Sequence, residues 1–126
     1  MNTKYKIAMG MLAGVALGAA AVQGLHAQAK PKAYIVTESE LLDAAALAAY
    51  TPQAQAAVKA AGGVPGVVAS GRVIALVGEA PKRFGVSEWE SLEKAQAFRN
   101  SAAYKDLAPQ RDKAVKAIRS YAVEVR

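Results

Sequence analysis

The stretch "EWESLEKAQAFRNSAAYKDL", residues 88–107, decides how the rest of the chain is read. Trp89 closes a short β-prone run, and Ser91 stands where it can cap a following helix. Glu93 suits the positive end of that helix, and Leu92, Ala95 and Phe98 fall along one of its faces. Asn100-Ser101 breaks the helix and caps another, which carries Tyr104 and Leu107. Pro109 is expected to bend or restart it, with helix continuing over residues 111–117. "IRSYAVEVR" (118–126) then reads as a final strand.

Working back from Trp89, "RFGVSEW" (83–89) alternates as a strand does. "VPGVVASGRVIALVG" (64–78) holds two β-branched runs around Ser70-Gly71, which suggests a hairpin or a bulged strand there. Residues 41–61 are almost all helix formers, with Asp43 placed to cap them. Thr51-Pro52 predicts a kink or a fresh start inside that helix, with Thr51 as cap, and Gly62-Gly63 ends it in the left-handed region. "KAYIVTES" (32–39) supplies the first strand. The order is β-α-β-β-α-β, an α+β sandwich with an antiparallel sheet and helices on one face. Apolar residues on both faces of the strands (Tyr34 and Val36 against Ile35, Phe84 and Val86 against Trp89) imply that a second subunit covers the bare face.

Composition narrows the chemistry. The 126 residues suffice for one domain. Lys4 and Lys6 precede an uncharged apolar run over 7–22, and Ala27-Gln28-Ala29 offers a small-x-small peptidase site. The run falls short of the ~20 residues that span a bilayer. The expectation is a Sec-type signal peptide over 1–29, cleaved after Ala29, and a single domain over 30–126. That domain would be exported to the periplasm or secreted, without stable membrane insertion; a retained anchor is the alternative. Removing the leader takes His26, the single histidine, and leaves 14 basic against 10 acidic residues, a net charge of +4. There is no cysteine. Without His or Cys the mature chain lacks the usual zinc, copper and haem ligands, so no metal and no cofactor is expected. Ser–His–Asp and Cys–His nucleophilic systems are excluded too. The modest charge, with no basic run or aromatic platform, argues against nucleic acid. Ser91-Leu92-Glu93-Lys94 matches S-x-x-K by chance, since its companion motifs are missing, and no phosphate-binding loop or dinucleotide fingerprint is present.

From Lys32 onward the chain resembles the bacterial domain-of-unknown-function family 1330 (DUF1330). The matching features are "KAYIV", Asp43, Tyr50, Gly62-Gly63, Gly71, Gly78-Glu79, Arg83 before a strand, and "WESLEKAQAFRNSAAYKDLAPQR" (89–111). The resemblance implies a ferredoxin-like fold of the dimeric α+β barrel superfamily and a homodimer, with no settled reaction. Superfamily relatives include cofactor-independent monooxygenases, haem-degrading enzymes, muconolactone isomerases and chlorite-dismutase-like proteins, an analogy of fold alone. Gly85 departs from the branched residues usual in relatives at that strand, and either weakens it or lets a ligand approach its backbone.

Seven residues are candidates for ligand binding, each with a plainer reading beside it. Asp43 is first a helix cap. Glu79 and Arg83 either form a salt bridge across the turn at Pro81, or Arg83 holds a carboxylate or enolate with Glu79 as base. Trp89 fills the core or the dimer interface, or walls a pocket. Tyr50 and Tyr104 share that ambiguity, with Arg111 or Asp43 as partners for a buried hydroxyl. Arg111 anchors an anion, or belongs to a solvated surface with Arg99, Lys105, Lys113, Lys116 and Arg119. The functional expectation is a protein that binds or converts a small organic molecule in a pocket between sheet and helices. The alternative is a non-catalytic dimeric interaction module. No residue is assigned as catalytic.

Overall fold

The computed structural model describes residues 30–126, so the leader expected over 1–29, its cleavage after Ala29 and His26 lie outside the described residues. The elements run β1 (Ala33–Leu41), α1 (Ala44–Ala60), β2 (Val64–Ala69), β3 (Arg83–Trp89), α2 (Leu92–Arg99), α3 (Ala102–Lys105), α4 (Ala108–Ala114) and β4 (Val115–Glu124). The sheet has the order β2-β3-β1-β4 and every pairing is antiparallel, the ferredoxin-like arrangement expected. Among the described residues no helix is long and apolar enough to cross a membrane.

Side chains at alternate positions of a strand leave on opposite faces. Ala33 and Ile35 on β1 and Trp89 on β3 therefore share the inner face, where Ala95 and Phe98 of α2 close the core. Trp89 is 1% exposed, stacks on Phe98 with centroids 4.9 Å apart, and donates its indole N–H to Ser87 Oγ at 2.9 Å. The end of α1 is built to receive it. Gly62, at φ +92°, closes the helix: its N–H reaches the Lys59 carbonyl, and the Gly63 N–H reaches that of Val58. Gly63 then lies against the indole so closely that a Cβ there would stand 2.8 Å from Trp89 Cζ2.

The expected caps form. Asp43 accepts from Ala46 N at 2.8 Å, Ser91 from Lys94 N at 3.2 Å and Ser101 from Tyr104 N at 3.3 Å. Three other expectations need correction. Thr51-Pro52 does not restart α1, and Thr51 is not a cap; the helix continues through Pro52, and Thr51 Oγ1 donates back to the Leu47 carbonyl at 2.8 Å. Proline removes the N–H that would meet the Ala48 carbonyl, but Ala48 is exposed and water can replace that donor. No hairpin or bulge forms at Ser70-Gly71. The irregularity lies at Pro65-Gly66, between the pairs Val64–Glu88 and Val68–Val86, where proline offers no donor and Gly66 takes φ +65°. Because Ala69 already faces Gly85 and β3 begins at Arg83, the second β-branched run has no strand opposite it; Leu76 and Val77 are 94% and 96% exposed. Finally, residues 115–117 are strand and not helix, because β1 runs on to Leu41 and pairs with Val115, Lys116 and Ala117.

A weak polar clamp joins β1 to β3 at its open end. Lys32 Nζ donates to Glu88 Oε1 at 2.7 Å and the Tyr34 hydroxyl to Oε2 at 3.3 Å. The Lys32 hydrogen bond is the largest cause holding Glu88 below the ordinary carboxylate value of 4.5, and the same bond holds Lys32 above 10.5. A depressed carboxylate contributes stability above its unfolded pKa and loses it as pH falls through the folded one; a raised lysine loses its share only as pH rises past its own. The pair is at full strength between 4.5 and 10.5. Glu88→Gln is expected to make the fall in stability between about pH 5 and pH 2 shallower, measured by urea denaturation across pH; an unchanged acid limb would mean that the pair contributes nothing. Gly63→Ala is expected to destabilise by ~1–3 kcal/mol through overpacking against the indole. Gly71→Ala, where a Cβ meets nothing within 4 Å, serves as control.

Candidate functional site

α1 is rich in alanine, and no residue along it is buried. Facing it on the sheet, Gly85 brings no side chain, and a Cβ built there would meet nothing within 4 Å. Small residues on both walls, with Ala54 above and Gly85 and Ala69 below, leave a cavity of about 360 Å³ between helix and sheet. Ile35, Val58, Phe98 and Leu107 give it apolar walls. The volume falls at the lower end of the range usual for small-molecule sites.

The charged groups lining this space are two cations, Arg83 and Arg99, and the other polar ones are hydroxyls and the Gln55 amide. Arg83 and Gly85 lie on the same face of β3, and Thr37 stands opposite Gly85 on β1. Arg83 is half-buried and has neither hydrogen bond nor ion pair among the described residues. Arg99, in the last turn of α2, crosses to the sheet, where Nη2 donates to Thr37 Oγ1 at 3.0 Å and to Ser120 Oγ at 2.7 Å. Its charge also lies over the Tyr104 ring, 4.7 Å from the centroid. The hydroxyls of Tyr50 and Tyr104 have no protein partner among the described residues. Among the described residues no Asp, Glu or His lines the cavity, and no salt bridge engages Arg83, Arg99 or Arg111. Arg83 and Arg99 thus concentrate positive charge beside apolar walls.

Of the seven candidates, the structure brings Tyr50, Arg83 and Tyr104 together around the cavity. The others lie elsewhere. Asp43 caps α1. Trp89 belongs to the core beneath. Arg111 stacks over the Tyr104 ring at 4.1 Å and donates Nη1 to the Tyr104 carbonyl at 3.3 Å, so it braces that residue through ring and backbone and not through its hydroxyl. Glu79 is exposed and makes no ion pair with Arg83. It lines a separate recess of about 340 Å³ with Lys82, Glu38 and Arg119, the last two joined by a bidentate pair at 2.9 and 3.0 Å. Among the described residues no three His, Cys, Asp or Glu gather where they could hold a metal ion. Sequence reasoning missed Thr37 and Arg99. Arg99 looked like one more surface cation, and only the pairing of β1 with β4 shows that a hydroxyl pair, Thr37 and Ser120, waits beneath it.

As a chemical device, the cavity can enclose an apolar body and donate hydrogen bonds to acceptors upon it. It carries no carboxylate or imidazole to act as a base.

The family described as "Domain of unknown function (DUF1330)" matches residues 32–125. No curated protein matches the chain. Among solved structures, a protein of unknown function from Rhodopseudomonas palustris is similar at a TM-score of 0.62 and 17% identity, covering 77% of this chain and 84% of that one. At that identity the likeness is one of fold. A dimeric protein of unknown function and ferredoxin-like fold from Bacteroides fragilis is more distant, at a TM-score of 0.44 and 12% identity over 78% of this chain and 98% of its own.

Gly85 tests whether the space is needed by the fold. Its φ is not positive and a Cβ there meets open space. Gly85→Ala is therefore expected to stabilise the protein by ~0.4–1 kcal/mol, chiefly by restricting the unfolded chain. Chemical denaturation checks this; a loss of stability would mean that the backbone itself requires glycine.

Proposed function

We propose that this chain, which belongs to the DUF1330 family, is an exported homodimer that binds a small organic molecule between α1 and the sheet. The observation that carries this reading is the cavity over Gly85, where Arg83 and the Tyr50 and Tyr104 hydroxyls stand without protein partners. These polar groups reach solvent beside apolar walls, where they are free to meet a ligand. With no base around the cavity, recognition is the role assigned to it.

Support for the dimer comes from the other face of the sheet. Strand alternation sends Val36, Val68, Val86, Tyr121 and Val123 outward, away from the face on which α2 packs. Tyr121, on the edge strand β4, is 48% exposed on this surface. A second copy packed sheet to sheet would remove it from water, the usual closed solution for a self-complementary apolar face. Export is supported by Lys4 and Lys6 ahead of the apolar run and by Ala27-Gln28-Ala29.

Native mass spectrometry of the protein from its exporting host tests the assembly and the leader: the expected species is a dimer of chains beginning at Lys30. Val36→Glu, which encloses an unpaired charge in the contact, should weaken that dimer at least about a hundredfold. An aromatic fragment screen by NMR tests the cavity. Shifts should gather at Thr37, Tyr50, Arg83 and Tyr104 and vanish in a folded Gly85→Leu variant. A monomer would overturn the dimer, and a screen without cavity shifts would leave the non-catalytic interaction module as the better reading.

A further inference from the structure

We infer that the cavity's ligand is an anion, a monocarboxylate on a flat apolar body, whose charged group sits over Gly85 between Arg83 and Arg99. This rests on the ligand-cavity reading and goes beyond it by naming the chemical class.

The inference comes from what surrounds one empty position. Thr37 and Gly85 are opposite residues of β1 and β3, and Ser39 and Arg83 are the next inner-face pair along the same ladder. The space above Gly85 is thus bordered by the stem of Arg83 on its own strand. Across from it stands Thr37, on which the Arg99 guanidinium rests at 3.0 Å. Arg99 uses Nη2 for two hydroxyls and leaves its remaining N–H groups without an acceptor on the protein. Arg83 has no acceptor at all among the described residues, although both arginines line the cavity.

A half-buried arginine is normally matched with a carboxylate of the same fold, because losing water without gaining a counter-charge is unfavourable. Elsewhere Arg119 and Lys32, both exposed, pair with Glu38 and Glu88. At the cavity two arginines stand together without such a partner among the described residues. Neutral donors, Tyr50 and Tyr104, add to the excess instead of offsetting it. Only an acceptor-rich, negatively charged group answers all four, and a planar carboxylate suits the forked guanidinium geometry. The walls of Ile35, Val58 and Phe98 would enclose the apolar remainder.

The edges of the site agree with a fixed role for Arg99. Its guanidinium is held from below by Thr37 and Ser120 and from the side by the Tyr104 ring, whose opposite flank or edge is braced by Arg111 at 4.1 Å. Arg83 has no such restraints and is the arm free to close on a ligand. Arg99 therefore positions, and Arg83 pairs.

trans-Cinnamate and trans-cinnamamide separate this inference from the reading beneath it, since they share shape and differ in charge. NMR titration of the full mature protein is expected to show cinnamate binding about ten- to a hundredfold tighter than the amide, the usual effect of a charge-assisted hydrogen bond. Arg83→Met should weaken cinnamate far more than the amide and so shrink that difference, and added salt should weaken the acid alone. Arg83→Lys should restore part of the preference, which a merely structural arginine would not predict. Equal binding of the two compounds at the cavity, or tighter binding of the amide, would overturn the anion and leave the ligand cavity standing. Shifts from neither compound at millimolar concentration would overturn both.

Discussion

The contact between the Trp89 indole and Gly63 is the constraint on which the rest of the structure depends. Trp89 is the largest fully buried side chain and reaches from the end of β3 to the C-terminal turn of α1. Replacing a buried aromatic with alanine costs ~3–5 kcal/mol in a domain whose total stability is of the order of 5–15 kcal/mol. Because the indole occupies the place of a side chain at position 63, it also sets how closely α1 can approach the sheet at that end. Toward the other end nothing comparable fills the gap, and the cavity opens there. One large residue and one absent side chain thus fix where the core stops and the binding space starts.

How much of this was legible in the sequence depended on whether the signal was local. Asp43, Ser91 and Ser101 cap as read, since a cap needs only the next three residues. The strand over 83–89 has the bounds its alternation suggested. Two misreadings turned on partners distant in sequence. Residues 72–77 look like a strand and have no strand to pair with; residues 115–117 look helical and are drawn into β4 by β1. Pro52 fails to break α1 because the carbonyl it strands faces water. For the site, Tyr50, Arg83 and Tyr104 were legible from the family pattern and their side-chain chemistry. Arg99 was not, since its role exists only once Thr37 and Ser120 are brought side by side, 83 residues apart in sequence.

The alanine-rich character of α1 takes on a meaning beyond helix propensity. Alanine favours helix strongly and contributes little volume, so a helix built from it can be stable in itself while leaving space beneath. Gly85 extends the same economy of volume to the sheet, against the preference of a strand for branched side chains. Filling the space would raise stability at the expense of whatever occupies it, a common tension at binding sites. The cations around it belong to the same pattern: each is half-buried and lacks a carboxylate partner, an arrangement that does not help the isolated fold.

The two faces of the sheet divide their work between neighbouring residues. Val36 points out and Thr37 in; Val86 points out and Gly85 in. A slip of one residue along β1 would exchange a cavity wall for a dimer contact at each of these places. The register is therefore the quantity that both proposed roles share, and several features hold it. Trp89 is seated opposite Ala33, Lys32 and Tyr34 grip Glu88, and the irregularity between Glu38 and Ser39 sets the phase of β4. Glu38 and Arg119 sit beside that irregularity and join β1 to β4 across it. The exposed pair of Lys32 and Glu88 adds little stability by itself. The larger effect of these polar pairs is to make one alignment of the strands better than its neighbours, and that alignment gives Gly85 and Val36 their opposite surroundings.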